Sequence, residues 1–125
     1  MHNSVKRSIL VIEDDLDIRE SLEDLLTSEG YDVTLVEGGE SALKCLRDGL
    51  NPHLILLDLN MPGMNGREVM AKIRENPENA LIPVAYLTAA GDAQVESLGD
   101  KAAGLIRKPF DLEVLLSTVS SLALR

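Results

Sequence analysis

Apolar positions along the chain follow two patterns that take turns. Short runs of closely spaced apolar residues alternate with longer segments in which apolar residues recur every three or four places. The first run is residues 8–13 (SILVIE). The segment 15–30 that follows puts Ile18, Leu22, Leu25 and Leu26 at i, i+4, i+7 and i+8, which is one face of a helix. Asp17 is expected to cap it, with Glu20 three places on, and Gly30 to end it. Residues 31–37 (YDVTLVE) alternate with the two-residue period of a strand, and 39–49 predicts a short helix with Ala42, Cys45 and Leu46 facing inward.

A break at 49–52 leads into 53–59 (HLILLDL), whose near-continuous apolar character suits a strand covered on both faces. Asn65 is expected to cap a helix over 67–76 that buries Val69, Met70 and Ile73. The run 81–88 (LIPVAYLT) places Pro83 near a strand start, where no ladder donor is needed. Residues 91–104 form the weakest helical pattern, with Gly at both ends, and are expected to be the least stable helix. A short run at 103–108 precedes a final helix with Leu112, Leu115, Leu116, Val119 and Leu122 on one face.

The unit is β-α, five times over. Helices between apolar strands imply an α/β fold: a five-stranded parallel sheet with right-handed crossovers and helices on both faces. The 125 residues suit a single domain over 1–125, with 1–7 expected as a flexible end, and no linker or low-complexity tract interrupts them. With aromatic residues at 2%, the core has to be aliphatic. A net charge of -9 opposes binding to nucleic acid, and aromatic platforms for single strands are missing. Cys45 is the only cysteine, so no internal disulfide can form, and it reads as a small buried apolar residue. No apolar stretch approaches the length of a membrane span or a leader, so no membrane is expected as a partner and the expected location is the cytoplasm.

In open parallel sheets, ligands bind beyond the carboxyl ends of the strands. Glu13, Asp14 and Asp15 end the first predicted strand, Asp58 the third, Thr88 the fourth and Lys108-Pro109 the fifth. Each has an ordinary explanation alone: acids favour helix N-termini, threonine favours strands, and a lone lysine is usually solvated. All of them falling at strand ends together is improbable on those grounds, and a carboxylate after the apolar run HLILL has no folding reason to be there. At an effective dielectric near 20, two like charges about 4 Å apart repel by roughly 4 kcal/mol. Glu13, Asp14 and Asp58 therefore need compensation beyond one lysine. The all-oxygen donor set points to a hard divalent ion, for which magnesium fits and manganese is a substitute.

The set Glu13-Asp14, Asp58 within LDLNMPGMNG, Thr88-Ala89 and Lys108-Pro109-Phe110 resembles the receiver domain of two-component response regulators, across nearly the whole chain. The resemblance implies the flavodoxin-like doubly wound fold with strand order 2-1-3-4-5. It also implies a phosphoacceptor role for Asp58, which takes a phosphoryl group from the phosphohistidine of a sensor histidine kinase or a histidine phosphotransfer protein. By the same resemblance Asp14 and Asp58 are direct magnesium ligands, Asn60 contributes its backbone carbonyl, and Glu13 acts through a water. Lys108 pairs with a phosphoryl oxygen and Thr88 bonds another after transfer. Pro109 is expected to be a cis or turn-forming residue aiming Lys108 inward.

The chain would then be a signalling module and not an enzyme, catalysing only its own phosphorylation and slow dephosphorylation, with Asn60 and Ala90 tuning the lifetime. The expected readout surface is the fourth helical segment, the fifth strand and the final helix, a face that also leaves a homodimer open. Many relatives carry Tyr or Phe three residues before the lysine; Leu105 stands there, which puts an aromatic swing in doubt. His2 and His53 are given no role. Two other readings compete. A small magnesium-dependent phosphatase with an aspartyl nucleophile would want a second Asp where Asn60 stands. A receiver-shaped interaction domain independent of phosphorylation would not need the acid, Thr and Lys set. A nucleotide-binding reading lacks any glycine-rich phosphate loop.

Overall fold

The computed structural model describes residues 6–89 and 102–123. In chain order these form β1 (Ser8–Ile12), α1 (Leu16–Ser28), β2 (Asp32–Val36), α2 (Gly39–Arg47), β3 (Leu54–Asp58), α3 (Gly66–Glu75), a single 3₁₀ turn (Pro77–Asn79), β4 (Val84–Thr88), β5 (Gly104–Arg107) and α4 (Leu112–Leu122). The helix expected over 91–104 and the expectation for Ala90 fall mostly outside the described residues. All strand pairs are parallel and the order is β2-β1-β3-β4-β5, the doubly wound arrangement.

The period of two explains why the central strands read as continuous apolar runs. Ile9 and Val11 of β1, Leu54 and Leu56 of β3, and Ala85 and Leu87 of β4 face one layer, where Leu22 and Leu26 of α1 and Leu115 and Val119 of α4 cover them. Their neighbours Leu10, Ile12, Ile55, Leu57, Val84 and Tyr86 face the other layer, against Ala42 and Leu46 of α2 and Val69, Met70 and Ile73 of α3. Both faces are therefore sealed, and polar groups concentrate at the strand ends.

Several local expectations change. Asp15, not Asp17, caps α1: its side chain accepts from the Ile18 N–H at 3.1 Å. Asp17 instead lies in the first helical turn, where its charge suits the macrodipole. Asn65 caps α3 as expected, in a reciprocal box with Glu68. Cys45 is only half-buried, because it lies at the margin of the α2 face that Ala42 and Leu46 bury. Leu112, the first residue of α4, is 58% exposed, since α4 begins before its apolar face meets the sheet. The 3₁₀ turn was not foreseen; Asn76 caps it and Pro77 starts it.

His53 acquires a structural task. Its side-chain Nδ1 accepts from the Ser8 N–H at 2.9 Å, while the main-chain N–H of His53 donates to the Ser8 carbonyl at 2.8 Å. The pair closes the lower end of the β1–β3 ladder, where Ser8 has no strand neighbour on that side. We predict that His53→Ala lowers unfolding free energy by about 1 kcal/mol, the usual net worth of one such bond. Urea titration is the check, and the site at the opposite end of the strands should be unaffected.

Candidate functional site

At the carboxyl edge of the sheet, strand parity does much of the positioning. Glu13 continues the parity of Ile9 and Val11, and Asp58 that of Leu54 and Leu56, so both carboxylates project towards the α1–α4 layer. Lys108 continues that of Ile106 on β5. Thr88 shares its parity with Val84 and Tyr86 and belongs to the opposite face. A group held between Glu13, Asp58 and Lys108 would thus meet Thr88 from the other side of the sheet edge.

Carboxylate oxygens of Glu13, Asp14 and Asp58 all lie within 4.8 Å of one another. Glu13 and Asp58 are buried and Asp14 is exposed, so the cluster opens to solvent on the Asp14 side. Lys108 Nζ stands 2.9 Å from Glu13 Oε1 and 3.4 Å from Asp58 Oδ1. Two main-chain donors finish the inner shell: the Asp15 N–H reaches Glu13 Oε2 at 3.2 Å and the Asn60 N–H reaches Asp58 Oδ1 at 3.1 Å. The Lys108 N–H donates to the Thr88 carbonyl at 2.8 Å, which ties the two strand ends together. The Lys108–Pro109 peptide is cis.

The crowding shows in the electrostatics. Burial pushes the Glu13 carboxyl up from its ordinary 4.5 to about 7; Lys108 pulls it back and Asp58 pushes it further up. Burial works to lower the Lys108 ammonium, but its contacts with Glu13 and Asp58 outweigh that and leave it raised. Although Lys108 is close, Glu13 Oε1 receives no hydrogen bond of good angle. A buried carboxylate oxygen with that defect, beside two further carboxylates and with no nitrogen or sulfur ligand in the cluster, fits a hard cation.

Three further residues shape this arrangement through contacts that their spacing along the chain does not show. Asp15 matters as cap and donor, Arg19 donates to the carbonyls of Glu13 and Asp14, and Gly66 packs directly on the Asp58 backbone. Arg19 had a signal: a cation in a helix's first turns opposes the macrodipole and calls for a compensating contact. Leu105 is half-buried beside Tyr86, its register partner on β4, and packs against the α2–α3 layer.

Among known proteins, the family model described as the response regulator receiver domain matches residues 9–120. The response regulator FleR of Pseudomonas aeruginosa is 37% identical over 119 residues, which are 93% of this chain and 24% of FleR. The DNA-binding response regulator MtrA of Mycobacterium tuberculosis is 36% identical over 119 residues, 94% of this chain and 50% of MtrA. The chain therefore spans a quarter to a half of these relatives. Among solved structures, the chemotaxis protein CheY4 of Vibrio cholerae superposes with a TM-score of 0.88 at 28% identity, covering 94% of this chain and 99% of that one. The receiver domain of a sensor histidine kinase from Pseudomonas aeruginosa, solved with magnesium coordinated in its active-site cleft, gives 0.83 at 27% identity, covering 95% and 98%. No helix among the described residues is long and apolar enough to cross a membrane. Fold, strand-end residues and family match agree: this chain belongs to the response regulator receiver domain family of two-component signalling.

Proposed function

We propose that the chain is a single phosphoacceptor unit over residues 1–125 that takes a phosphoryl group onto Asp58 from a phosphohistidine, presented by a sensor histidine kinase or a histidine phosphotransfer protein. The observation that carries this reading is the meeting of three carboxylates and one lysine at the carboxyl edge of a parallel sheet. Asp58 Oδ1 is engaged by the Asn60 N–H and Lys108, which leaves Oδ2 to attack. Oδ2 forms a bond to phosphorus as the phosphorus–nitrogen bond breaks, and the imidazole departs with that electron pair. The product is an acyl phosphate.

Such a transfer needs alignment and charge neutralisation more than covalent assistance. Lys108 supplies a fixed positive charge beside Asp58 Oδ1, ready for a phosphoryl oxygen. Asp14, Asp58 and the Asn60 carbonyl would hold magnesium, or manganese in its place, with Glu13 acting through a water. When bound, the ion neutralises phosphoryl charge that Lys108 alone cannot. Thr88, on the other face, would gain a contact only after transfer, and that difference is what shifts the population of two states. An apolar recess of about 480 Å³ opens next to Lys108, bounded by Ile18, Ser21, Ala89, Pro109 and Phe110, and offers the donor a surface beside the acceptor. The face carrying β5 and α4 is then the readout side, towards a downstream target or a second copy. The setting is the cytoplasm, and the turnover is limited to the unit's own phosphorylation and slow loss of the group.

Intact mass after incubation with acetyl phosphate and magnesium tests the reading. One phosphoryl group should be gained by the parent, and none by Asp58→Ala or by the parent in chelator. Incorporation that persists in Asp58→Ala, or a parent that takes up nothing, would sink it.

A further inference from the structure

Arg19 sits one turn into α1, in a position that helix electrostatics disfavour. No carboxylate within ion-pair distance explains it among the described residues. Its Nη1 donates instead to two successive main-chain carbonyls, Glu13 at 3.0 Å and Asp14 at 3.3 Å. Those carbonyls belong to Glu13 and Asp14, two of the three residues whose side chains form the acidic cluster.

The geometry explains why such a clamp is needed. In an extended chain, successive side chains point to opposite faces. Glu13 and Asp14 are successive, yet their carboxylate oxygens approach the same point. The chain must therefore leave strand geometry between them. The Glu13 N–H makes the last β1–β2 bond, to Val36 at 3.1 Å, and from there the backbone turns into the Asp15 cap. The carbonyls of the turning residues need donors other than the ladder. A guanidinium supplies them with charge-assisted bonds, from a side chain anchored on a helix that Asp15 fixes in place.

We infer that Arg19 is a positioning residue for the acidic cluster: by holding both carbonyls it turns Glu13 and Asp14 together, and it thereby sets the affinity of the cluster for a divalent cation. This rests on the reading of the cluster as a magnesium site. Groups that orient ligands from behind typically contribute tenfold or more to metal affinity. A competing effect has the opposite sign. Arg19 carries positive charge near a site for a dication, so deleting it by charge alone would tighten binding. The direction of the change therefore separates positioning from simple repulsion.

The test is calorimetric titration of magnesium into the full chain and into Arg19→Met and Arg19→Lys, with metal-free thermal midpoints recorded alongside. Arg19→Met should bind magnesium about tenfold more weakly. Phosphorylation by acetyl phosphate should then require correspondingly more magnesium to reach half rate, while the rate at saturating magnesium stays near that of the parent. Arg19→Lys keeps the charge and a donor but not the reach to both carbonyls, so it should fall between the two. It also keeps the question answerable should Arg19→Met fail to fold. Unchanged or tighter binding in the variants overturns the inference, as does a loss of affinity in Arg19→Met that Arg19→Lys shares in full. A parent that takes up no magnesium overturns the proposed metal site itself, and the two failures are thereby distinguished.

Discussion

In chelator, Lys108→Met should lose about 3 kcal/mol of unfolding free energy at pH 8 and roughly half of that at pH 5, because it leaves two buried carboxylates without their cation. The pH dependence follows from Glu13. Burial raises its carboxyl to about 7 in the folded chain, from an ordinary value of 4.5. A group that holds its proton more tightly folded than unfolded contributes its full stability below the unfolded value, and that contribution is lost as pH rises through the folded one. The metal-free parent should therefore lose stability between about pH 4.5 and 7 through this group.

Lys108 is what limits the loss, since its contact with Glu13 favours the charged carboxylate. Without the ammonium, the folded carboxyl rises further and the decline extends to higher pH. At pH 5 Glu13 already carries its proton, so fewer unpaired charges remain and the variant suffers less. Magnesium at millimolar concentration should narrow the gap at pH 8, because a dication can replace the missing ammonium electrostatically. Urea titrations at the two pH values, with chelator and then with magnesium, are sufficient. Equal losses at both pH values would mean that Lys108 stabilises through the packing of its stem and not through charge.

How much of this was readable beforehand depends on what each residue answers to. The sheet was readable because sealing two faces requires a continuous apolar run at β3, and that run ends on Asp58. The convergence of Glu13, Asp58 and Lys108 followed from the same logic, since parity and parallel pairing carry strand ends to a common edge. The helix start was less legible. Asp15 and Asp17 flank Leu16 with the same chemistry, and the choice between them depends on where the backbone leaves the strand. Leu112 fits the apolar stripe of α4 by spacing, but spacing cannot tell that the first turn overhangs the sheet. His53 and Arg19 bond to main-chain groups, and a sequence carries no record of which carbonyls or amides a fold leaves over. Gly66 belongs with them: its importance lies in what is absent from it.

A methyl group at Gly66 would stand 2.8 Å from the Asp58 carbonyl oxygen, 2.8 Å from Leu59 Cα and 3.2 Å from Leu59 Cδ2. Two of those atoms are backbone, so no rotamer change relieves them. The Gly66 N–H also donates to the Leu59 carbonyl at 3.2 Å, and Gly66 opens α3 behind the Asn65 cap. The helix start is thus pressed against the strand end that carries the acceptor, and accommodating a methyl means moving one from the other. Overpacking of this kind costs about 2–3 kcal/mol, so Gly66→Ala should lower the thermal midpoint by several degrees. Any relaxation must displace Asp58 or the cap, so phosphorylation by acetyl phosphate should slow even at temperatures where the variant is fully folded. Gly63, three residues earlier, makes a fitting contrast. It adopts φ +79 with nothing within 4 Å of an added Cβ, so Gly63→Ala meets backbone strain of roughly 1 kcal/mol but no collision. A Gly63→Ala variant as impaired in phosphorylation as Gly66→Ala would show that the loop's conformation, and not the contact between α3 and β3, governs the acceptor.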